Sequence, residues 1–518
     1  MIKPTPQRQL VVGLDAMEWF LVKKWAAEGK LPTFRRLLDQ GSHARLDSPA
    51  RALPDTSWPA LCTGVNPGKL GKYFYVQYDP MMARLRYMTD DEVRAVPFWD
   101  TLDEAGVRVG VIEVPHMPPT PLVHGFRLTD WGSHDNVHRP WASPASLKSE
   151  VLTRFGTHPV EDCEKFNSNA RSRRALRDQL VQGVRAHGQL FRWLLGTQAW
   201  DVFMCVFAAP HCAGHHFWSA MDPEHPDHAA GRRDGLTSAI QDVYRAIDGE
   251  IALMLEGVDD RTRVLLVSGH GMGPLYHASW SLNQILELLG FSDGTLTTRP
   301  VGSRTAAVNP WRALKMVAPS RLQYWIKERL PKSLQDYLLF LWYAGGRTYG
   351  KRRVFAVPNN DVAGAIRISL QGRDPDGLVL PGEYDALCDA VAVALGALTD
   401  PVSGRPIIKE VIRMRREFHG PFAGQLPDLC VLWNRDFPWR AIQSPRFGVL
   451  HLPRMDSRTG SHNRYGFLIA TGPGIPAGVE LSGYSTYDIV PTLLAGAGVA
   501  VPPGLDGKPI PIDAADPK

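Results

Sequence analysis

Cysteine is scarce and scattered. Six occur in 518 residues (Cys62, Cys163, Cys205, Cys212, Cys388 and Cys430), none in a CxxC pair. A zinc ribbon and a disulfide scaffold are thereby excluded. An excess of one charge is also lacking. The 58 Lys plus Arg stand against 53 Asp plus Glu, a formal +5 over the whole chain, which is no footprint for a nucleic-acid duplex. No run approaches the roughly 18 apolar residues of a membrane span. The stretch Met1–Gln9 holds no apolar signal region, which points to a cytoplasmic protein. Internal repeats and low-complexity tracts are missing, and 44% hydrophobic with 21% charged residues excludes disorder and collagen-like sequence. Histidine, by contrast, is in good supply: there are 17, and five fall between His211 and His228.

Short apolar runs recur along the chain at Leu10–Leu14, Val107–Val114, Val202–Phe207, Arg263–Ser268, Leu429–Trp433 and Gly466–Ala470. Helical patterns lie between most of them, among them Ala170–Leu195, Leu236–Leu255 and Tyr384–Ala397. This alternation predicts an α/β fold with a mostly parallel central sheet flanked by helices. Such sheets place their chemistry at the carboxyl ends of the strands. Residues 293–358 break the rhythm: they are basic and aromatic, with a helical stretch Leu322–Tyr343. They read as an inserted helical segment that packs on the core or caps the site, with contact to a membrane surface as the alternative. The expected organisation is a core in two parts, 1–292 and 359–518, interrupted by that insertion.

Polar residues just after the apolar runs are the candidates for chemistry. Asp15 follows the first run and suits either a metal ligand or a helix cap. In Pro54-Asp-Thr-Ser-Trp-Pro-Ala-Leu-Cys-Thr-Gly-Val-Asn-Pro-Gly-Lys69, Thr56 or Ser57 stands just before an expected helix start. A hydroxyl there is either a stabilised nucleophile or a cap. In His211-Cys-Ala-Gly-His-His-Phe-Trp218, His211 and His215 share one face if the segment is helical, within reach of one ion. His216 would point elsewhere. His225 and His228 lie in a loop rich in Pro and Asp and are expected to be solvated. His270 stands in the glycine-flanked turn of Ser268-Gly-His-Gly-Met272, and His462 in Gly460-Ser-His-Asn463. The cluster Thr129-Asp-Trp-Gly-Ser-His-Asp135 offers Trp131, His134 and Asp135 to a substrate pocket or as replacement ligands, or is a surface loop.

In this order, the segments resemble the alkaline phosphatase superfamily and, within it, the type I phosphodiesterase/nucleotide pyrophosphatase family. Cys62-Thr-Gly-Val-Asn-Pro-Gly-Lys69, Gly466-Phe-Leu-Ile-Ala-Thr-Gly-Pro-Gly-Ile475, Tyr487-Asp-Ile-Val-Pro-Thr-Leu-Leu494 and Leu505-Asp-Gly-Lys-Pro-Ile510 add to the likeness. The resemblance implies Asp15 as ligand of one metal and Ser57, in Ser57-Trp-Pro59, as the nucleophile of a T-x-P pattern. It also implies that the D-x-x-G-H motif is His211-Cys-Ala-Gly-His215, that D-H-G-M is Gly269-His-Gly-Met272, and that the late histidine is His462.

Two carboxylates of that pattern are replaced, by His211 and by Gly269. The resemblance then implies one site of His211, His215 and His462, whose nitrogen donors suit Zn2+. A second site of Asp15, Ser57 and His270 is poorer by one charge. Ala60 and Leu70 stand where relatives often carry Asn and His. Ser57-Trp-Pro-Ala-Leu61 lacks the arginine of a formylglycine sulfatase. The implied activity is metal-dependent hydrolysis of a small phosphate ester, diester or nucleotide pyrophosphate, through a covalent phosphoserine at Ser57. Thr56, Trp131, His134, Asp135 and His216 are the candidates for lining the pocket. Two alternatives remain open: phosphoryl or sulfuryl transfer to an acceptor other than water, and a catalytically altered binding protein of the same fold. Nothing in the sequence bears on oligomeric state.

Overall fold

The computed structural model describes residues 7–132, 140–160, 163, 169–276, 281–291, 334, 352–452 and 458–512. The chain forms two compact units. The first comprises Met1–Tyr73, Asp90–Tyr276 and Asp456–Lys518; the second comprises Phe74–Thr89 and His277–Met455. This division differs from the expected one: 359–455, assigned above to the second part of the core, lies in the second unit. The run Leu429–Trp433 is a strand as expected, but it pairs antiparallel to both of its neighbours there. An apolar run five residues long has the same look in either kind of sheet, so only the pairing partners decide. Nearly all of 293–358, including Leu322–Tyr343, lies outside the described residues.

The first unit is built on a nine-stranded sheet. Its strands are β1 (Gln9–Leu14), β2 (Ser42–Asp47), β3 (Val109–Ile112), β4 (Phe126–Thr129), β5 (Trp141–Ser143), β6 (Val202–Phe207), β7 (Arg263–Ser268), β8 (Tyr465–Thr471) and β9 (Val479–Ser485). They lie in the order β9-β2-β8-β7-β1-β6-β3-β4-β5. The five central strands from β7 to β4 are mutually parallel, while β8 runs antiparallel to β7 and β5 antiparallel to β4. The apolar runs are continuous because both faces are buried. On β1, Leu10, Val12 and Leu14 enter one core and Val11 the other; on β6, Phe203, Cys205 and Phe207 part from Val202, Met204 and Val206 in the same way.

The first core is covered by the helices Trp19–Ala27, Pro32–Gln40, Ala170–Thr197, Ala209–Met221 and Ala239–Leu255. The second is covered by Ser57–Thr63, Phe98–Glu104 and Ile489–Gly496. Capping explains several of the boundaries. The Asn169 side chain accepts the Ser172 N–H at 2.8 Å. Asp248, from a neighbouring helix, accepts the Thr33 and Phe34 N–H groups at the start of Pro32–Gln40. The second unit holds a four-stranded antiparallel sheet in the order Val354–Val357, Ala363–Ile368, Leu429–Trp433, Ile408–Arg413. The helices Leu282–Leu288 and Tyr384–Gly396 contribute to its core. Among the described residues no helix is long and apolar enough to cross a membrane.

Where β3 ends, Glu113 turns into the left-handed region (φ 60) and its carboxylate accepts the Trp131 and Gly132 N–H groups at 2.9 and 2.7 Å. The Trp131 ring packs on His158 and His187 at 5.1 and 5.5 Å between centroids. His158 is buried; it accepts the Val160 N–H at Nδ1 and faces the Gly183 carbonyl with Nε2. Burial, with His187 beside it, pushes the His158 imidazole down to about 3. An unfolded histidine titrates near 6.5, so between about 6.5 and 3 the unfolded chain takes up a proton that the native one refuses. The stability is therefore present above this window and is lost as pH falls through it, by up to about 1.4 kcal/mol per pH unit. The melting temperature should fall between pH 7 and pH 5, and His158→Gln should show a shallower fall across the same range.

Candidate metal centre

Three adjacent strands deliver four of the candidate residues to one edge of the sheet. Asp15 immediately follows β1, and its N–H continues the ladder to Phe207 O at 3.0 Å. The helix Ala209–Met221 follows β6 by one residue and carries His211 and His215 one turn apart. His270 stands two residues beyond β7. The fifth, His462, lies on the short strand Gly460–Asn463, which pairs antiparallel with Gly271–Pro274 so that His462 is opposite Met272. All of these residues belong to the first unit.

His211, His215 and His462 converge. The Nε2 atoms of His211 and His462 are 2.7 Å apart, and those of His215 and His211 are 3.2 Å apart. All three side chains are buried, and together they form a group whose ligand atoms all lie within 4.8 Å of one another. His215 Nδ1 meets the Gly460 carbonyl at 2.7 Å. A carbonyl only accepts, so this nitrogen carries the proton and Nε2 turns a lone pair inward. Tetrahedral zinc with Zn–N of about 2.0–2.1 Å spaces its nitrogens about 3.3 Å apart. The trio fits such an ion with a slight outward movement, and its donor chemistry, imidazole without carboxylate, suits zinc better than magnesium or calcium.

Close backbone approach makes the convergence possible. A Cβ on Gly460 would lie 2.3 Å from the Gly214 carbonyl oxygen and 2.9 Å from Trp218 Cβ. The glycine therefore lets the hairpin with His462 lie against the helix with His211 and His215. The Thr459 N–H adds a bond to His215 O at 2.7 Å.

The companion set is different. Ser57 is the first residue of the helix Ser57–Thr63 and not the residue before it, as the sequence suggested. Neither it nor Thr56 caps the helix: the Ser57 hydroxyl donates to Pro54 O and the Thr56 hydroxyl to Leu53 O, both at 2.7 Å. Asp15 Oδ1 accepts the Trp58 indole N–H at 2.7 Å and lies 3.8 Å from His270 Nε2. His270 Nδ1 is 3.2 Å from its neighbour's carbonyl, Gly271 O. The His270 ring lies 4.5 Å from that of His462. These contacts link Ser57 and Asp15 to the three-histidine group, but they supply one carboxylate, one imidazole and one hydroxyl, a poor set for a second ion.

Other expected residues fall elsewhere. Trp131 is a core side chain, packed on His158 and His187, because the Glu113 carboxylate draws its backbone inward. His134 and Asp135 lie outside the described residues. His216 is buried on the same helix but does not join the group. His225, expected in solvent, is buried: it accepts the Asp227 N–H at Nδ1 and faces Leu275 O with Nε2. His228 Nδ1 lies 3.0 Å from Ser219 O. A loop rich in Pro and Asp looked solvated, yet its histidines tie it to the core.

Sequence reasoning passed over Glu18. Its carboxylate caps the helix Trp19–Ala27 through the Phe20 N–H, and it accepts the Met272 N–H and the Asn463 side-chain amide. One side chain thus joins the segment after Asp15 to the segments carrying His270 and His462. Its place one residue before a helix was the available signal.

A mostly parallel sheet with imidazoles and a carboxylate at its carboxyl edge is an α/β architecture with polar side chains where such sheets place their chemistry. The model of one family, type I phosphodiesterase/nucleotide pyrophosphatase, matches residues 9–436, and the chain belongs to it. No curated protein sequence matches the chain. Among solved structures, phosphonoacetate hydrolase from Sinorhizobium meliloti 1021, in complex with phosphonoformate, is 14% identical, with 95% of this chain and 97% of that chain covered and a TM-score of 0.51. Murine ectonucleotide pyrophosphatase/phosphodiesterase 5 in complex with AMP is 13% identical, with 96% of each chain covered and a TM-score of 0.49.

Glu18→Ala should lower the folding free energy by about 1–2 kcal/mol and weaken zinc binding on the order of tenfold, measured by denaturant unfolding and chelator competition. Gly460→Ala should force the helix and hairpin apart, costing about 1–3 kcal/mol and weakening zinc binding in the same assay.

Proposed function

We propose that the protein hydrolyses phosphate diesters or nucleotide pyrophosphates by way of a covalent phosphoserine on Ser57, with zinc at His211, His215 and His462. The observation that supports this most is the convergence of three buried Nε2 atoms, in a chain whose Ser57 the family pattern marks as nucleophile. His211, His215 and His462 would hold the ion, and zinc there would supply positive charge against the charge that develops on the phosphoryl group.

The chain's own residues do the rest. Ser57 Oγ forms a bond to phosphorus as the bond to the leaving alcohol or phosphate breaks. The proton from the hydroxyl ends on that leaving group, and water then cleaves the phosphoserine to free phosphate ester and serine. The single turn Pro54–Thr56 and the Ser57 hydroxyl bond to Pro54 O hold the nucleophile in one rotamer. Trp58 fixes Asp15 through its indole N–H, and Asp15 faces His270, so the residue after the nucleophile orients the acid at the edge of the sheet. No step is assigned to an ion at Asp15, Ser57 and His270.

Ser57→Ala should reduce turnover of a diester such as bis(p-nitrophenyl) phosphate by about three orders of magnitude or more. Rapid quenching of the wild-type protein should trap a mass increase of one phosphoryl or ester-phosphoryl group on the peptide containing Ser57. Undiminished turnover in Ser57→Ala would remove the serine from the mechanism.

A further inference from the structure

We infer that each chain holds one divalent cation at this edge of the sheet, in the three-histidine group, and that Asp15 serves His270 and Trp58 in place of a second ion. The inference rests on the metal-dependent reading above and goes beyond it by fixing how many ions that site takes.

An inventory of donors carries the argument. Among the described residues, His211, His215 and His462 are the one group of three or more His, Cys, Asp or Glu side chains with converging ligand atoms. A second ion would have to draw on Asp15, His270 and the Ser57 hydroxyl. Position 269 is where a further side chain would enter: a Cβ there would lie 3.4 Å from Ser57 Cβ, in ordinary contact. There is room for it, and the residue is glycine. Glu18, the next carboxylate along the chain, is spent on the Phe20 and Met272 N–H groups and the Asn463 amide.

Charge points the same way. Two divalent ions about 4 Å apart, the spacing of two-metal sites, repel strongly unless anionic ligands lie around and between them. Among the described residues Asp15 is the carboxylate beside His270, and its Oδ1 accepts the Trp58 indole N–H at 2.7 Å and lies 3.8 Å from His270 Nε2. His270 itself leans toward the three-histidine group, its ring 4.5 Å from that of His462 and 6.5 Å from that of His211.

The test is a count of ions, made on the full chain. Protein stripped with chelator is titrated with Zn2+ against a chromophoric competitor, and zinc retained after gel filtration is measured by mass spectrometry. One equivalent per chain is expected, lost in His211→Ala and in His462→Ala and kept in Asp15→Asn, with circular dichroism confirming that each variant is folded. Gly269→Asp, which restores a carboxylate, is expected to take the count to two; a count that stays at one there would overturn the role given to the glycine. Two equivalents in the wild-type chain, the second lost in Asp15→Asn, would overturn the proposal and leave the phosphoesterase reading standing. No bound zinc at all would overturn both.

Discussion

Three imidazole nitrogens brought together in a buried place repel one another unless a proton or a cation stands between them. The distances of 2.7 and 3.2 Å among the Nε2 atoms of His211, His215 and His462 are therefore the constraint on which the rest of the first unit depends. Two of the rings come from one turn of one helix, and the third comes from a hairpin nearly 250 residues further along. The cost of holding them is spread over ordinary interactions. The apolar strands β1, β6 and β7 fix the sheet edge, Gly460 admits the hairpin, the Gly460 carbonyl sets the tautomer of His215, and Glu18 joins the loops.

Substitution of carboxylates changes what such a site prefers to hold. With His211 where the family pattern has an acid, the group that could hold a metal ion offers three imidazole nitrogens and no carboxylate. With Gly269 in place of another, the Asp15 side becomes an arrangement of protein groups among themselves: indole to carboxylate, carboxylate to imidazole. Ser57 is tied to that arrangement by covalent adjacency, since Trp58 is its neighbour. Orientation of the acid and placement of the hydroxyl therefore rise or fall together.

Much of this was legible in the residue pattern. Four of the five central strands, all but Phe126–Thr129, announced themselves as short apolar runs because both faces of the sheet are covered, and the pair His211 and His215 stood at helical spacing directly after one of them. Trp131 and His225 were misplaced for one shared reason: local polarity suggested solvent, and distant polar groups, the Glu113 carboxylate and the Leu275 carbonyl, drew them inward. Glu18 escaped notice because a glutamate ahead of a helix is ordinary, and its three partners lie up to 445 positions away. The run Leu429–Trp433 has the look of a core strand and belongs to another sheet, since pairing is a property of two segments and composition of one.

By itself, the sequence determined the α/β class and the histidines that could meet, because both are carried by residue type and spacing along the chain. The tertiary structure alone decided that His462 joins His211 while His270 leans in beside Asp15, that Ser57 sits inside its helix, and that 359–455 leaves the first unit. Those outcomes depend on distances between segments remote in sequence. Such distances are set by which backbones can approach and which buried polar groups must find partners, and no local pattern records them.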